Sequence, residues 1–261
     1  MGSSAEMPFL DHLEELRWRI IWSLAALVVG VGVAFFVVIH FDLLTWFQGP
    51  ILPYLHGKRL VYTHPGDGFS ILMQTAIIVG VVLALPVIIY QVWAFLSPAL
   101  YRKEKRIAVP VILGAVLLFI CGAVLAWYFV LPMTLKFLSA LGDESFDQMI
   151  TASEYFGFVT SMVLAMGAVF ELPIAILLLS ALGLVTPKFL SKYRRHALVA
   201  SYFAAAIITP GDLLVTSVAL MVPLYLLYEL SIGLSYLVYR KRQERESAEA
   251  AAEHPAGGAA A

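Results

Sequence analysis

The chain has 261 residues, of which 61% are hydrophobic and only 13% are charged, and its mean hydropathy is +0.87. One soluble core of this size cannot bury so much apolar surface, so the composition excludes a water-soluble protein and predicts an integral membrane protein. The net charge of -1 excludes little, because in a membrane protein the positions of the charges along the chain matter more than their sum.

The first element is predicted just before the first apolar run, in "PFLDHLEELRWRI". Its apolar residues recur at helical spacing at Phe9, Leu13, Leu16 and Ile20. This pattern predicts an amphipathic helix over residues 8–19 that lies at the membrane surface. Glu15 and Arg19 stand four residues apart, which is typical of a solvated face with one weak ion pair. A ligand site at Glu15 is the alternative.

Six apolar runs follow, and a helix needs about 20 residues to cross a hydrocarbon core about 30 Å thick. The predicted spans are 20–39, 70–96, 107–131, 156–182, 196–208 and 213–239, which make residues 1–239 a single membrane domain. The fifth span is short at 13 residues, so either the bilayer thins beside it or the preceding basic loop extends the helix. Residues 240–261 are charged and then small and repetitive, which predicts a disordered tail.

The orientation follows from the basic residues between the spans. Fourteen of the 17 Lys and Arg residues lie in the N-terminal segment, the loops 97–106 and 183–195, and the tail. The loops of the other face hold only Lys58, Arg59 and Lys136. Because basic residues concentrate on the cytoplasmic side, this pattern predicts that both termini are cytoplasmic.

The loop "FLSPALYRKEKR", residues 95–106, carries one acid, Glu104, among four basic residues. A lone acid in a basic loop often pairs with a neighbouring base. Together with Glu15, however, it places two carboxylates on one face of the membrane. Two carboxylates suit a partner with two guanidinium groups, since each guanidinium can bind one carboxylate through two hydrogen bonds.

Two further acids, Glu171 and Glu229, are predicted within spans. An ionisable residue at membrane depth normally faces a cavity, the protein interior or a partner. Glu171 precedes Pro173, which lacks an N–H and interrupts the helical hydrogen bonds, so the pattern predicts a polar, kinked spot in an apolar helix. Glu229 is nearer the cytoplasmic end, where an interfacial or helix-pairing role is expected.

The pattern of acids leaves a second function open. A secondary transporter of a small solute could relay ions through Glu171 and Glu229. An enzyme is not indicated, because the chain has no HExxH, GxSxG or GxxxxGK[ST] motif and its six histidines lack metal-ligand spacing. No cofactor, metal ion or nucleic acid is therefore predicted.

Four motifs together resemble the TatC family, the signal-recognition subunits of the twin-arginine protein translocase. They are "HLEELRWR", "QVWAFLSPALYRKEKR", "FELP", and "TPGD" followed by "PLYLLYE". The resemblance covers about residues 7–239. It implies an all-α fold of six transmembrane helices in a cupped, glove-like arrangement with short fifth and sixth spans.

The resemblance also implies a binding site and partners. Glu15 and Glu104 would receive the paired arginines of the signal peptide of a folded cargo protein. The residues implied to shape the same site are Arg17, Phe95, Pro98, Leu100, Tyr101, Lys105 and Arg106. The residues implied for an intramembrane polar or partner site are Glu171, Pro173, Asp212, Thr216 and Glu229.

In that family, single-span TatA- and TatB-type subunits assemble with this subunit into homo- and hetero-oligomers. The proton-motive force drives export across a bacterial or archaeal inner membrane. The chain departs from the family at "TPGD", where "TPPD" is common, and at Thr216, where a glutamine is common. It also has Lys105 before Arg106 where some relatives have two arginines. The resemblance implies that this position contacts the TatA- and TatB-type subunits, and in this chain a shorter hydroxyl would replace the amide there.

Overall fold

The computed structural model describes residues 9–55, 57–96, 108–140, 149–209 and 214–253. Within these ranges the chain forms ten α-helices and no β-strand, apart from an isolated bridge between Val61 and Thr151. The helices are α1 (Phe9–His40), α2 (Leu43–Phe47), α3 (Asp67–Leu96), α4 (Ala108–Leu125), α5 (Leu131–Ala140), α6 (Ala152–Phe170), α7 (Leu172–Ala181), α8 (Pro187–Lys192), α9 (Arg194–Ile208) and α10 (Val215–Glu253). The all-α prediction is confirmed.

Five described segments are long and apolar enough to cross a membrane. They are Asp11–His40, Asp67–Leu96, Ala108–Ala140, Ala152–Ala181 and Val215–Arg240, and each overlaps a predicted span. The remaining predicted span, 196–208, corresponds to α9, which has 15 residues. At 1.5 Å per residue α9 is about 22 Å long, which is shorter than a hydrocarbon core of about 30 Å.

The N-terminal amphipathic segment is not a separate helix, which corrects the prediction for residues 8–19. α1 continues without a break for 32 residues, from Phe9 to His40. The reason is local, because neither Gly nor Pro separates the amphipathic turns from the apolar run. A helix of this length measures about 48 Å, so its first turns extend beyond the hydrocarbon core.

α1 packs directly against α3 through residues with little or no side chain. A Cβ added to Gly30 would lie 2.7 Å from the carbonyl oxygen of Gly80, and a Cβ added to Gly80 would lie 2.7 Å from Val31 Cα. Ala34 and Ala76 are fully buried in the same contact. Small residues let two helices approach closely in a membrane, where packing rather than the hydrophobic effect holds helices together.

A π-helical turn, Ala126–Val130, joins α4 to α5. Pro132 follows it and lacks the N–H that would bond the carbonyl of Tyr128, which favours a wider turn at this point. The turn is packed by aromatic rings, because Trp127 stacks on Trp46 at 4.2 Å between centroids and meets Phe47 edge to face at 5.1 Å. This contact ties α2 to the third membrane segment.

The C-terminal segment also differs from the prediction of a disordered tail over 240–261. α10 continues through the end of the last span to Glu253, and residues 254–261 lie outside the described residues. Residues 240–253 are rich in Ala, Glu and Arg, which are strong helix formers. Extending an existing helix also avoids the cost of starting a new one.

Candidate functional site at the basic end of the helices

We call the basic end the end of the molecule at which α1 begins, α3 and α7 finish, and α9 begins. Side chains from three of the membrane segments meet there in a buried cluster that contains Trp93, Val111, Ile174 and Leu178. The cluster fixes the C-terminal end of α3 against α4 and α7. The loop that follows α3 in the sequence, residues 97–107, lies outside the described residues.

The first turns of α1 lie along the last turns of α3. The ring of His12 stacks on Phe95, with 4.5 Å between centroids and 21° between planes. Two helical turns further along α1 on the same side, Arg19 Nη1 donates a hydrogen bond to Gln91 Oε1 at 3.3 Å. These two contacts hold the face of α1 that carries Glu15 beside the end of α3.

The Glu15 carboxylate is already bound by a guanidinium group of its own helix. Arg19 donates from Nε to Glu15 Oε1 at 2.9 Å and also contacts this oxygen through Nη2. The two side chains retain 23% and 24% of their exposure. Pairs of this spacing at a water-accessible surface contribute only about 0.3–0.5 kcal/mol. Among the described residues, Oε2 of Glu15 receives no hydrogen bond.

The structure describes three of the residues that the sequence predicts for signal binding. Glu15 and Phe95 are half-buried and lie against the α1–α3 contact, while Arg17 is exposed on α1. The other predicted residues lie outside the described residues, and they are Pro98, Leu100, Tyr101, Glu104, Lys105 and Arg106. Sequence reasoning missed His12 and Gln91. Gln91 stands four residues before Phe95, so its helical spacing could have placed it on the same face.

Glu171 occupies the junction at which α6 ends and α7 begins. Pro173 follows at the first turn of α7, and the interruption lies where the sequence predicts a kink. Both carboxylate oxygens of Glu171 are buried and have no hydrogen-bond partner among the described residues. A buried polar group without a partner costs about 1–3 kcal/mol, so this carboxyl group favours binding a donor.

The side of α6 and α7 near Glu171 carries small side chains at helical spacing. The exposed members of this row are Ser161, Ala168 and Ala175. Near one end of the row, a Cβ added to Gly157 would lie 3.6 Å from the amide nitrogen of Gln74. Gln74 Oε1 is also buried without a partner in the described part of the chain. We call this surface the small-residue face.

Glu229 has partners within the protein on both of its oxygens. Arg194 Nη2 lies 3.0 Å from Oε2, and the hydroxyl of Tyr225 donates to Oε1 at 2.8 Å. Since Arg194 begins α9 and Glu229 belongs to α10, these bonds connect the short helix to its neighbour. Sequence reasoning missed Arg194, because nothing in the sequence shows that the two residues meet.

Thr216 lies near the other end of α10 and is buried. It lines an apolar cavity of about 230 Å³ between α10 and the third membrane segment, together with Phe129, Met133 and Pro223. Thr216 and Glu229 are 13 residues apart, which is about 20 Å along a helix. The residues predicted for one intramembrane partner site therefore occupy separate places, and Asp212 lies outside the described residues.

Nothing in the described ranges forms a metal centre, because no three His, Cys, Asp or Glu side chains there lie close enough to hold an ion. Two buried pairs of hydroxyl groups connect neighbouring helices. Ser180 contacts Ser235 at 2.8 Å between α7 and α10, and Thr209 contacts Ser217 at 3.1 Å between α9 and α10. The chemistry available at the basic end and on the small-residue face is hydrogen bonding and ion pairing.

Comparison with known proteins gives consistent matches over nearly the whole chain. Residues 11–223 match the family described as Sec-independent protein translocase protein (TatC). The chain is 40% identical to the Sec-independent protein translocase protein TatC of Aquifex aeolicus, over 93% of this chain and 100% of that protein. It is 36% identical to TatCy of Bacillus subtilis, over 94% of each chain.

A solved structure agrees with these matches. The crystal structure of the twin-arginine translocase receptor TatC superimposes with a TM-score of 0.72 and 38% sequence identity. The match covers 87% of this chain and 99% of that chain.

Proposed function

The chain belongs to the TatC family of Sec-independent protein translocase proteins, and from this premise we propose that it is the receptor for twin-arginine signal peptides. It is a multi-span membrane protein of the Tat translocase and a transport subunit rather than an enzyme. In our proposal it binds the signal peptides of folded cargo proteins at its cytoplasmic face. It then assembles with TatA- and TatB-type single-span subunits, and the proton-motive force drives export.

The observation that carries this proposal is the environment of Glu15. The carboxylate stands between α1 and the end of α3 and already binds a guanidinium group, that of Arg19. A site that accepts one arginine of the protein has the geometry to accept one from a peptide. The pair is partly exposed, so displacing Arg19 costs little.

Gln91 gives Arg19 an alternative acceptor. Its Oε1 already accepts from Arg19 Nη1 at 3.3 Å, so Arg19 keeps a hydrogen bond when a signal arginine takes Glu15. Oε2 of Glu15, which receives no hydrogen bond from the described residues, adds an acceptor for the incoming group. We therefore describe signal binding at Glu15 as an exchange of one guanidinium group for another.

Glu104 is the proposed acceptor of the second arginine. It lies eight residues after Leu96, the last residue of α3, on the loop that leaves the site beside Phe95. A pair of carboxylates would give each of two consecutive arginines its own acceptor, since a guanidinium group can bind one carboxylate through two hydrogen bonds. Both termini are cytoplasmic in this proposal, in keeping with the basic residues at this end.

The small-residue face supports the proposal that this protein assembles with single-span subunits and binds the apolar part of a signal peptide. The apolar part of a signal peptide, or the single helix of a partner subunit, can approach closely where side chains are small. A polar group on that segment would supply the donor that the Glu171 carboxyl lacks among the described residues. We propose that Glu171 binds such a group during assembly.

Site-specific crosslinking tests the receptor proposal. A photoreactive residue beside the arginine pair of a signal peptide is crosslinked to the full-length protein in membranes, with RR and KK signals compared. We expect the RR crosslink to be strong and to fall at least tenfold with Glu15→Ala, Glu104→Ala or the KK signal.

Glu14→Ala is the matched control, since it removes an exposed acid from the adjacent position of α1 and should leave the crosslink unchanged. A crosslink indifferent to the two acids and to the KK change would refute the proposal. Ion-coupled solute uptake through Glu171 would then be the next activity to measure.

A further inference from the structure

The segment that follows α7 consists of α8 and the first turn of α9, which meet at Tyr193. The amide of Tyr193, between α8 and α9, donates to the Leu190 carbonyl at 3.0 Å. The Ala197 amide donates in turn to the Tyr193 carbonyl at 2.9 Å. Tyr193 departs from α-helical dihedrals, with φ -95° and ψ 12°, but these two bonds keep a turn at the junction, and within α8 the positions i and i+4 lie on one side.

Two stripes of side chains follow this segment. The cationic stripe consists of Lys188, Lys192 and Arg195, all exposed. The aromatic stripe is one position further along and consists of Phe189, Tyr193 and His196. Its rings are in contact, at 4.7 Å between Phe189 and Tyr193 and at 5.3 Å between Tyr193 and His196.

The opposite side of the segment is fixed to the protein, so the stripes face outward. Pro187 and Leu190 are buried, and the Tyr228 hydroxyl of α10 donates to the Leu190 carbonyl at 2.8 Å. Arg194 is committed to Glu229. In contrast, none of the three cationic-stripe residues pairs with an acid within the part of the chain that the structure describes.

The position of the stripes indicates the surroundings they meet. α7 finishes at Ala181, so the stripes begin a few residues beyond a membrane segment. Leu184 and Phe189 are large apolar residues that retain 71% and 54% of their exposure. A segment that exposes apolar and aromatic side chains beside cations suits the boundary between hydrocarbon and headgroups, where rings and basic side chains are both stabilised.

We propose that this segment binds the phosphodiester headgroups of anionic phospholipids in the leaflet at the basic end. The three cations would donate to the phosphate oxygens, and the ring stripe would lie at the level of the upper acyl chains. The occupant is a lipid rather than a soluble anion, because the cations are flanked by exposed apolar side chains.

Native mass spectrometry of the full-length protein tests this site independently of signal binding. The protein is titrated with phosphatidylglycerol or with phosphatidylcholine of identical acyl chains. In the variant that combines Lys188→Gln, Lys192→Gln and Arg195→Gln, we expect the apparent phosphatidylglycerol affinity to fall about tenfold or more. Phosphatidylcholine binding should not change.

The chain offers a control with the same change of charge at the opposite end, the combination of Lys58→Gln, Arg59→Gln and Lys136→Gln. It should leave phosphatidylglycerol binding within about twofold of the wild type. An equal loss in both triple variants would overturn the proposal, since it would show an effect of total charge. Retained affinity in the cationic-stripe variant would overturn it as well.

Two further measurements separate the lipid from its phosphate and protect against misfolding. Inorganic phosphate at millimolar concentration should not displace the lipid, and full displacement would show a simple anion site and overturn the proposal. The variant that combines Phe189→Ser and Tyr193→Ser keeps every charge and should weaken phosphatidylglycerol binding several-fold. Thermal unfolding identifies any variant that fails to fold. If the triple variant fails to fold, the phosphatidylglycerol affinities of Lys192→Gln alone and of the ring variant test the proposal.

Discussion

Glu15 and Glu171 are both carboxylates proposed to bind a partner, yet their surroundings are opposite. Glu15 is partly exposed at the basic end and is paired with Arg19. Glu171 has both oxygens buried at a helix junction within a membrane segment and no partner among the described residues. The Glu15 carboxylate already binds a cation of the protein itself, whereas no described residue donates to Glu171.

The difference indicates two ways of coupling binding to specificity. In the proposed receptor, binding at Glu15 would exchange one ion pair for another, so affinity would come from the second arginine and from neighbouring contacts. Binding at Glu171 would relieve a buried polar group that costs free energy in the isolated protein. The first arrangement permits reversible recognition, and the second favours assembly only with a segment that brings a donor to the correct depth.

The largest expected effect comes from disrupting the contact between α1 and α3, which positions Glu15 and does not involve Glu171. Gly80→Val places a Cβ 2.7 Å from Val31 Cα, so α1 and α3 can no longer pack. We expect the free energy of unfolding to fall by about 2–3 kcal/mol, as for overpacked cores. A disulfide engineered between His12→Cys and Phe95→Cys should no longer form.

Gly32→Val is the control for this prediction, because a Cβ at Gly32 meets nothing within 4 Å. It should preserve both the stability and the disulfide. If Gly80→Val also preserves them, the close approach of α1 and α3 does not position Glu15.

The next largest expected effect concerns the buried acid Glu171. Glu171→Leu removes a buried carboxylate without a described partner, so the isolated protein should gain about 1–2 kcal/mol of unfolding free energy. Export of a folded reporter protein in cells should fall at the same time. Unfolding in mixed detergent micelles and reporter export measure the two effects separately.

Glu154→Leu provides the comparison on the same membrane segment, since Glu154 is exposed at the start of α6. It should produce no gain in stability. A Glu171→Leu protein that is less stable than the wild type would show that Glu171 has a partner within the chain.

Glu229 tests an intermediate case, an acid that is half-buried and already paired. Arg194 and Glu229 retain 49% and 30% of their exposure, so solvent screens their attraction. A double-mutant cycle with Arg194→Gln and Glu229→Gln should give a coupling of about 0.5–1 kcal/mol. The cycle of Lys192→Gln with Glu229→Gln should give none, and equal couplings in the two cycles would contradict a specific pair.

The smallest expected effect is a change in signal-peptide affinity when Arg19, the proposed competitor for Glu15, is replaced. Arg19→Gln removes the internal competitor, whose pair contributes about 0.3–0.5 kcal/mol, so signal-peptide affinity should rise about twofold. Fluorescence anisotropy with a labelled RR peptide measures it. Glu14→Gln removes an exposed charge from the same helix and should have a smaller effect. A loss of affinity with Arg19→Gln would show that Arg19 positions the carboxylate instead.

Much of the architecture follows from local patterns of the sequence. The apolar runs determine the membrane segments because their lengths match the hydrocarbon core. Pro173 two residues after Glu171 determines the break between α6 and α7, because proline removes a helical hydrogen bond. The helical spacing of Glu15 and Arg19 likewise places that pair on one face of α1.

Other features depend on residues far apart in the chain, and only the tertiary structure decided them. The contacts of Arg19 with Gln91, His12 with Phe95 and Arg194 with Glu229 arise from the packing of separate helices, which a local pattern does not encode. The continuous α1 and the helical extension of α10 have a local cause instead, since a helix in progress continues until a breaker stops it. The sequence by itself determined which segments enter the membrane and which residues carry charge, whereas the fold decided which charges meet.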